Sequence, residues 1–150
     1  MPDKTSIAVQ PVARTGGGES PFRWNRKRID WAADGITTTG VYELVSLSAE
    51  QVLVDGFVIV TTLFGGASSG TMQFRCDVAG ADCNLTAAQT TNATPKGTTF
   101  RFFHNDLDAT VGQRAYISAA DTLDMSVLVA VPGEGAFDLY WATIDIQDNT

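Results

Sequence analysis

Apolar and polar residues alternate in short runs along most of the chain, which is the pattern of half-buried β-strands. No stretch has the length and periodicity of a long helix, and parallel sheets need crossover connections of about a dozen residues or more. The pattern therefore predicts an all-β fold, an antiparallel β-sandwich of about eight strands with jelly-roll or Greek-key wiring. The runs are residues 40–47, 51–64, 71–78, 98–103, 114–119, 122–131 and 136–147.

Three of these runs carry predictions about strand pairing. Asp55 and Gly56 interrupt the run 51–64, either as a turn between two strands or as a bulge in one long strand. The sequence Pro-Gly-Glu-Gly follows the run 122–131 and predicts a tight turn, so that run and the run 136–147 are expected to form a hairpin.

The first part of the chain has a different character. Pro2, Pro11 and Pro21 interrupt any helix there, and the three glycines 16–18 predict a flexible joint. Residues 22–27 could still form a strand with one aromatic face. The sequence accordingly predicts two parts, an extended basic arm over residues 1–28 and a sandwich body over residues 29–150.

Charge supports this division. Residues 1–28 have a net charge of +4 and residues 29–150 one of −11, within a total of −7. An acidic body argues against direct nucleic-acid binding, because that affinity depends mostly on clustered Lys and Arg. The basic cluster of the arm either lies along an acidic assembly partner, which we favour, or is simply solvated. The candidate contact residues are Arg14, Arg23, Arg26, Lys27 and Arg28.

Residues suited to catalysis or metal binding form no convincing set. His104 is the only histidine, so a tetrahedral metal site and a Ser-His or Cys-His dyad both lack support. Oxygen ligands for calcium gather at Asn105, Asp106 and Asp108, but without the EF-hand spacing. Most acidic residues lie at turns, where Asp favours the local backbone. We expect no enzyme activity, no cofactor and no metal.

Cys76 and Cys83 flank the turn-forming sequence Asp-Val-Ala-Gly-Ala-Asp. They are either two reduced thiols, as is usual in a cytosolic chain, or a disulfide that bridges a hairpin. The N-terminus lacks the layout of a secretory signal, and no apolar run approaches the roughly 18 residues of a membrane helix, so we expect no membrane association.

Four aromatic residues are candidates for the core, for a subunit interface or for stacking on sugars, because aromatic rings can serve each of these roles. Core or interface is the favoured role. The residues are Trp24, Trp31, Tyr140 and Trp141.

A basic arm with a glycine joint, followed by a body rich in Thr, Gly and Ala, resembles small virion proteins of tailed bacteriophages, most of all the head decoration, or cement, proteins. The segments that carry this resemblance are residues 33–64 and 121–148. That resemblance implies a structural protein on the outer capsid surface, assembled in the host cytoplasm and commonly trimeric. It further implies a major capsid protein or another virion protein as partner, with the arm as anchor. A carbohydrate- or receptor-binding module of a tail fibre or secreted protein is the alternative, and a hydrolase with paired carboxylates is a third reading.

Overall fold

The computed structural model describes residues 23–65, 70–78, 81–91, 94–103 and 116–146. All regular structure in these residues is β-strand. No helix among them is long and apolar enough to cross a membrane. The strands are β1 (Arg23–Asp30), β2 (Gly40–Leu47), β3 (Gln51–Gly65), β4 (Thr71–Val78), β5 (Ala81–Asn84), β6 (Gln89–Thr90), β7 (Thr99–Arg101), β8 (Tyr116–Ile117), β9 (Asp121–Leu128) and β10 (Glu134–Asp145).

The described strands form two antiparallel sheets of five strands each. In the first sheet the order is β1-β10-β3-β7, with β8 also on β3, and in the second it is β2-β9-β4-β5, with β6 also on β4. Because β5 and β6 share one side of β4, and β7 and β8 share one side of β3, the ten strands occupy eight positions. The predicted all-β antiparallel sandwich is confirmed.

Strict alternation of side chains explains how each strand builds the core. Met72, Phe74 and Cys76 of β4 are buried, as the sequence pattern predicts. From the other sheet Phe137 reaches the Phe74 ring, with 5.7 Å between ring centroids in an edge-to-face arrangement. Trp31, in the turn after β1, lies 6.0 Å from the Phe137 ring and is also buried. Aromatic side chains from both sheets therefore meet at the centre of the sandwich.

The run around Asp55 and Gly56 is one strand rather than two. β3 continues for 15 residues, and its register with β10 shifts between Ala142 and Thr143, which pair with Asp55 and Leu53. The second alternative from the sequence, a bulge in one long strand, is therefore confirmed. Gly56 is required here, because a Cβ atom at this position would lie 2.2 Å from the ring of Phe102.

The predicted hairpin between the last two long runs is wrong. β9 pairs with β2 and β4, whereas β10 pairs with β1 and β3, so the connection carries the chain from one sheet to the other. Leu123 and Met125 of β9 and Leu139 of β10 are buried in the shared core. Alternation on two neighbouring runs indicates that each has an apolar face, but strands that face each other across a core show the same pattern as strands that lie side by side.

Residues 23–28, which the sequence analysis assigned to the arm, lie in β1. This strand pairs with β10 along its whole length, from Arg23 opposite Thr143 to Asp30 opposite Ala136. Six consecutive residues of β1 are exposed, because the strand forms the edge of its sheet. An extended arm stays a prediction for residues 1–22, which lie outside the described residues, as does Arg14.

Candidate functional site

The basic cluster of the sequence is divided by the alternation of β1. Arg23 and Lys27 pair in register with Thr143 and Leu139, whose side chains point into the sandwich. Trp24, Arg26 and Arg28 fall on the opposite, outer face of the first sheet. The four basic residues of β1 that form one cluster in the sequence therefore belong to two surfaces.

The outer face of the first sheet carries three neighbouring aromatic rings. The rings of Phe57 on β3 and Tyr140 on β10 are stacked, with 4.9 Å between centroids and 17° between planes. The Trp24 ring lies 5.8 Å from that of Phe57, is tilted by 54°, and leaves the residue 52% exposed. We call this surface the aromatic face, and its residues are Trp24, Arg26, Arg28, Asp55, Phe57, Arg101, Asp138 and Tyr140.

An ion pair fixes one arginine on this face. The Asp138 Oδ2 atom accepts hydrogen bonds from Arg26 Nη2 at 2.6 Å and from Arg26 Nε at 3.2 Å. The hydrogen bond and charge of Asp138 raise the pKa of Arg26 above its ordinary value. The guanidinium carbon also lies 5.9 Å from the centroid of the Tyr140 ring, at the outer limit of a cation–π contact. Arg26 is thus held beside the aromatic rings before any partner arrives.

Asp138 is unusual for a carboxylate on an outer face. Its side chain is only 8% exposed, whereas that of Arg26 is 58% exposed. The Oδ1 atom is buried and accepts no hydrogen bond from the described residues. Arg28 is the residue of β1 directly opposite Asp138 in the register. The carboxylate therefore orients Arg26, while Arg28 is its neighbour across the strand pair.

A second ion pair lies at the far side of the aromatic face. Arg101 Nη2 of β7 is 3.4 Å from Asp55 Oδ2, and both side chains are partly exposed. Exposed pairs at this distance contribute little stability, typically about 0–1 kcal/mol. Asp55 also accepts a hydrogen bond from the backbone nitrogen of Gly56 at 2.8 Å. The Arg101–Asp55 pair therefore adds little to the stability of the fold, and its main effect is to place one positive and one negative charge on the aromatic face.

The inward-facing basic residues of β1 close the open edge of the sandwich. Lys27 Nζ donates a hydrogen bond to the backbone oxygen of Leu44 on β2 at 2.5 Å, which links the two sheets. Arg23 Nη2 lies 3.0 Å from Asp145 Oδ2. A cleft of about 370 Å³ lies at this edge, lined by Lys27, Glu43, Leu44, Val45, Ser46 and Thr122. Lysine at an edge strand also discourages uncontrolled strand addition.

The four aromatic residues singled out by the sequence have different environments. Trp31 is in the core, with its ring 5.1 Å from that of Phe64, and Trp141 is partly buried against the core. Trp24 and Tyr140 lie on the aromatic face. Sequence reasoning missed Phe57, whose position on the outer face follows from alternation only once the strand is known to continue through Gly56.

The outer face of the second sheet is acidic by contrast. Glu43, Asp124 and Arg75 lie in one row across β2, β9 and β4. Partial burial, together with the neighbouring acidic charges, raises the pKa of Asp124 above its usual value, although Thr122 donates a hydrogen bond to it at 2.6 Å. The two outer faces of the sandwich therefore differ in both charge and aromatic content.

The structure describes the backbone of both cysteines but none of the candidate calcium ligands. The backbone register places Cys83 directly opposite Cys76, as expected for a hairpin, and Cys76 is buried. A disulfide between them stays a prediction. Within the described ranges, no three His, Cys, Asp or Glu side chains gather as a metal site. His104, Asn105, Asp106 and Asp108 lie outside those ranges.

No protein-family model and no curated protein matches the chain, but solved structures share its fold. The chain is similar to a protein in the capsid of Ralstonia phage GP4, with a TM-score of 0.50 and 14% identity over 84% of this chain and 86% of that one. It is also similar to a protein in the capsid asymmetric unit of cyanophage Pam1, with a TM-score of 0.51 and 10% identity over 83% and 85%. At these identities the likeness establishes a shared sandwich fold.

Proposed function

We propose that the chain is a structural protein of a tailed-phage virion, which binds the outside of the capsid as a decoration protein and stabilises the shell. The observation that carries this proposal is the fold likeness, over more than four-fifths of the chain, to proteins from two phage capsids. The resemblance of the sequence to head decoration proteins points the same way. The proposed role is assembly, without catalysis, and the proposed state is a homo-oligomer, with a trimer favoured.

The proposed anchor is the N-terminal arm, now limited to the residues that precede β1. Since Arg23 already pairs with Thr143, a truncation that removes residues 1–28 would also remove most of an edge strand. A truncation of residues 1–22 leaves every described strand intact. It therefore separates the contribution of the arm from the stability of the body.

Co-sedimentation with phage particles that lack the chain tests the proposal. We expect the full chain to bind these particles at saturable occupancy, and residues 23–150 to fold but bind far less. A folded truncation with unchanged occupancy would contradict the role of the arm. Failure of the full chain itself to bind would contradict the decoration role.

A carbohydrate- or receptor-binding module is the second candidate, and one observation favours it. Trp24 is half exposed beside two further rings on a sheet surface, and exposed rings of this kind can stack on sugars. A glycan array decides between the candidates. Binding that disappears in Trp24→Ala would support the module, whereas an array without hits would leave the decoration role as the better account.

A further inference from the structure

We infer that the aromatic face is the surface through which copies of this chain associate with one another. The occupant is thus a second copy of the chain. This inference rests on the homo-oligomeric part of the proposed function and adds to it the surface and the anchoring residues. A face that docks on its own copy joins two chains about a two-fold axis, so the inference concerns a pairwise contact and does not by itself build the favoured trimer. Three observations carry it: the kinds of side chain on the face, its charge and its area.

The side chains are those that dominate the energetics of protein interfaces. Trp, Tyr and Arg are enriched among the residues whose truncation costs most binding energy. Here Trp24 is half exposed, Tyr140 is stacked on Phe57, and Arg26 is held by Asp138. Stacking and ion pairing restrict these side chains in the single copy, so little rotamer entropy remains to be lost when a second copy docks.

Charge favours the docking of a second copy at the aromatic face over docking at the other surfaces of the chain. The whole chain has a net charge of −7, so two copies repel each other on average. On the aromatic face, however, three arginines stand against two aspartates. A surface that carries both signs can be self-complementary, because an arginine of one copy can face the partly exposed carboxylate of Asp55 on the other. The row across the second sheet, with two carboxylates and one arginine, is net acidic like the chain as a whole.

The area of the face sets the expected size of the contact. Three strands over the eight residues of β1, with the three residues of β7 beside them, give a face of roughly 430 Å² at a strand spacing of about 4.8 Å and a rise of about 3.3 Å per residue. Two such faces bury roughly 900 Å², just below the approximately 1,000 Å² of the smallest specific interfaces. An interface of this size is reversible, and the loss of one anchoring ring should have a large effect.

Sedimentation velocity and light scattering over a series of concentrations test the inference on the full chain. We expect the wild type to associate and Trp24→Ala to associate at least tenfold more weakly, since Trp24 is the most exposed ring of the face. Arg28→Glu, also on the exposed part of β1, should weaken association too. Leu128→Ala is the matched control, because Leu128 is 43% exposed on the outer face of the other sheet.

Each outcome supports or overturns the inference. Weakened association in Trp24→Ala and Arg28→Glu, with a folded body and an unaffected Leu128→Ala, supports it. Association that survives both substitutions overturns the surface but leaves the homo-oligomer intact. A wild type that is monomeric at every concentration overturns both, even if it binds glycans or phage particles through the same face, since the occupant would then be another molecule.

Discussion

Replacement of Gly135 by alanine should destabilise the fold strongly, because this residue lies where the chain enters β10 from the other sheet. Its φ angle is +143°, in a region that is essentially restricted to glycine. A Cβ atom would also lie 1.9 Å from Cδ1 of Phe64, a buried side chain that contacts Trp31. The Gly135 oxygen meanwhile accepts a hydrogen bond from the Trp31 nitrogen at 2.9 Å, so the backbone cannot move away freely.

The expected cost has two parts. Backbone strain for a non-glycine residue in this conformation costs about 1–3 kcal/mol, and overpacking against a buried ring costs about 1–3 kcal/mol more. The sum, roughly 2–6 kcal/mol, is a large share of the total stability of a typical domain, about 5–15 kcal/mol. Gly40→Ala separates the two parts, because Gly40 has a φ of +153° but no atom within 4 Å of its Cβ position.

Urea denaturation of the wild type, Gly135→Ala and Gly40→Ala measures both parts. We expect Gly135→Ala to lose about 1–3 kcal/mol more free energy of unfolding than Gly40→Ala. Replacement of Phe64 by a smaller residue should recover part of the difference in the double variant, which a double-mutant cycle detects as coupling. Equal losses in the two glycine variants would refute the close approach of Gly135 to Phe64.

Three further predictions concern stability. Phe137→Ala should lower the free energy of unfolding by about 3–5 kcal/mol in urea, because Phe137 is fully buried among rings from both sheets; a loss below 1 kcal/mol would contradict that core. Lys27→Met should cost about 1 kcal/mol by removing the bond to the Leu44 oxygen, and an unchanged unfolding midpoint would argue against that link. Since the pKa of Asp124 is raised in the folded state above 3.8, ionisation of this carboxyl favours unfolding, and stability is lost as pH rises through the raised pKa. Asp124→Asn should therefore be at least as stable as the wild type at pH 7 and lose that advantage on acidification; a variant that is less stable only at neutral pH would contradict this.

Strand positions followed from the sequence because each strand buries one face. The alternation of Met72, Phe74 and Cys76 indicated which face of β4 lies in the core, and the structure agrees. The partners of strands were harder to predict. β9 and β10 lie in opposite sheets although only a short connection separates them, because alternation records burial and carries no information about which strand lies alongside.

The candidate site was predicted in part for the same reason. Arg26 was singled out from the sequence as a contact residue, and Trp24 as a core or interface aromatic. Their common outward face, and the separation of Lys27 from them, depend on residues 23–28 forming a strand. The Arg26–Asp138 pair joins residues 112 positions apart. No local pattern indicates such a pair, because it exists only once β1 is placed beside β10.

The most direct test of the proposed virion role is the protein composition of purified particles of a phage whose genome encodes this chain. Quantitative mass spectrometry of washed particles should detect the chain in a fixed ratio to the major shell subunit. Its presence in the lysate but absence from the particles would contradict a role as a structural virion protein.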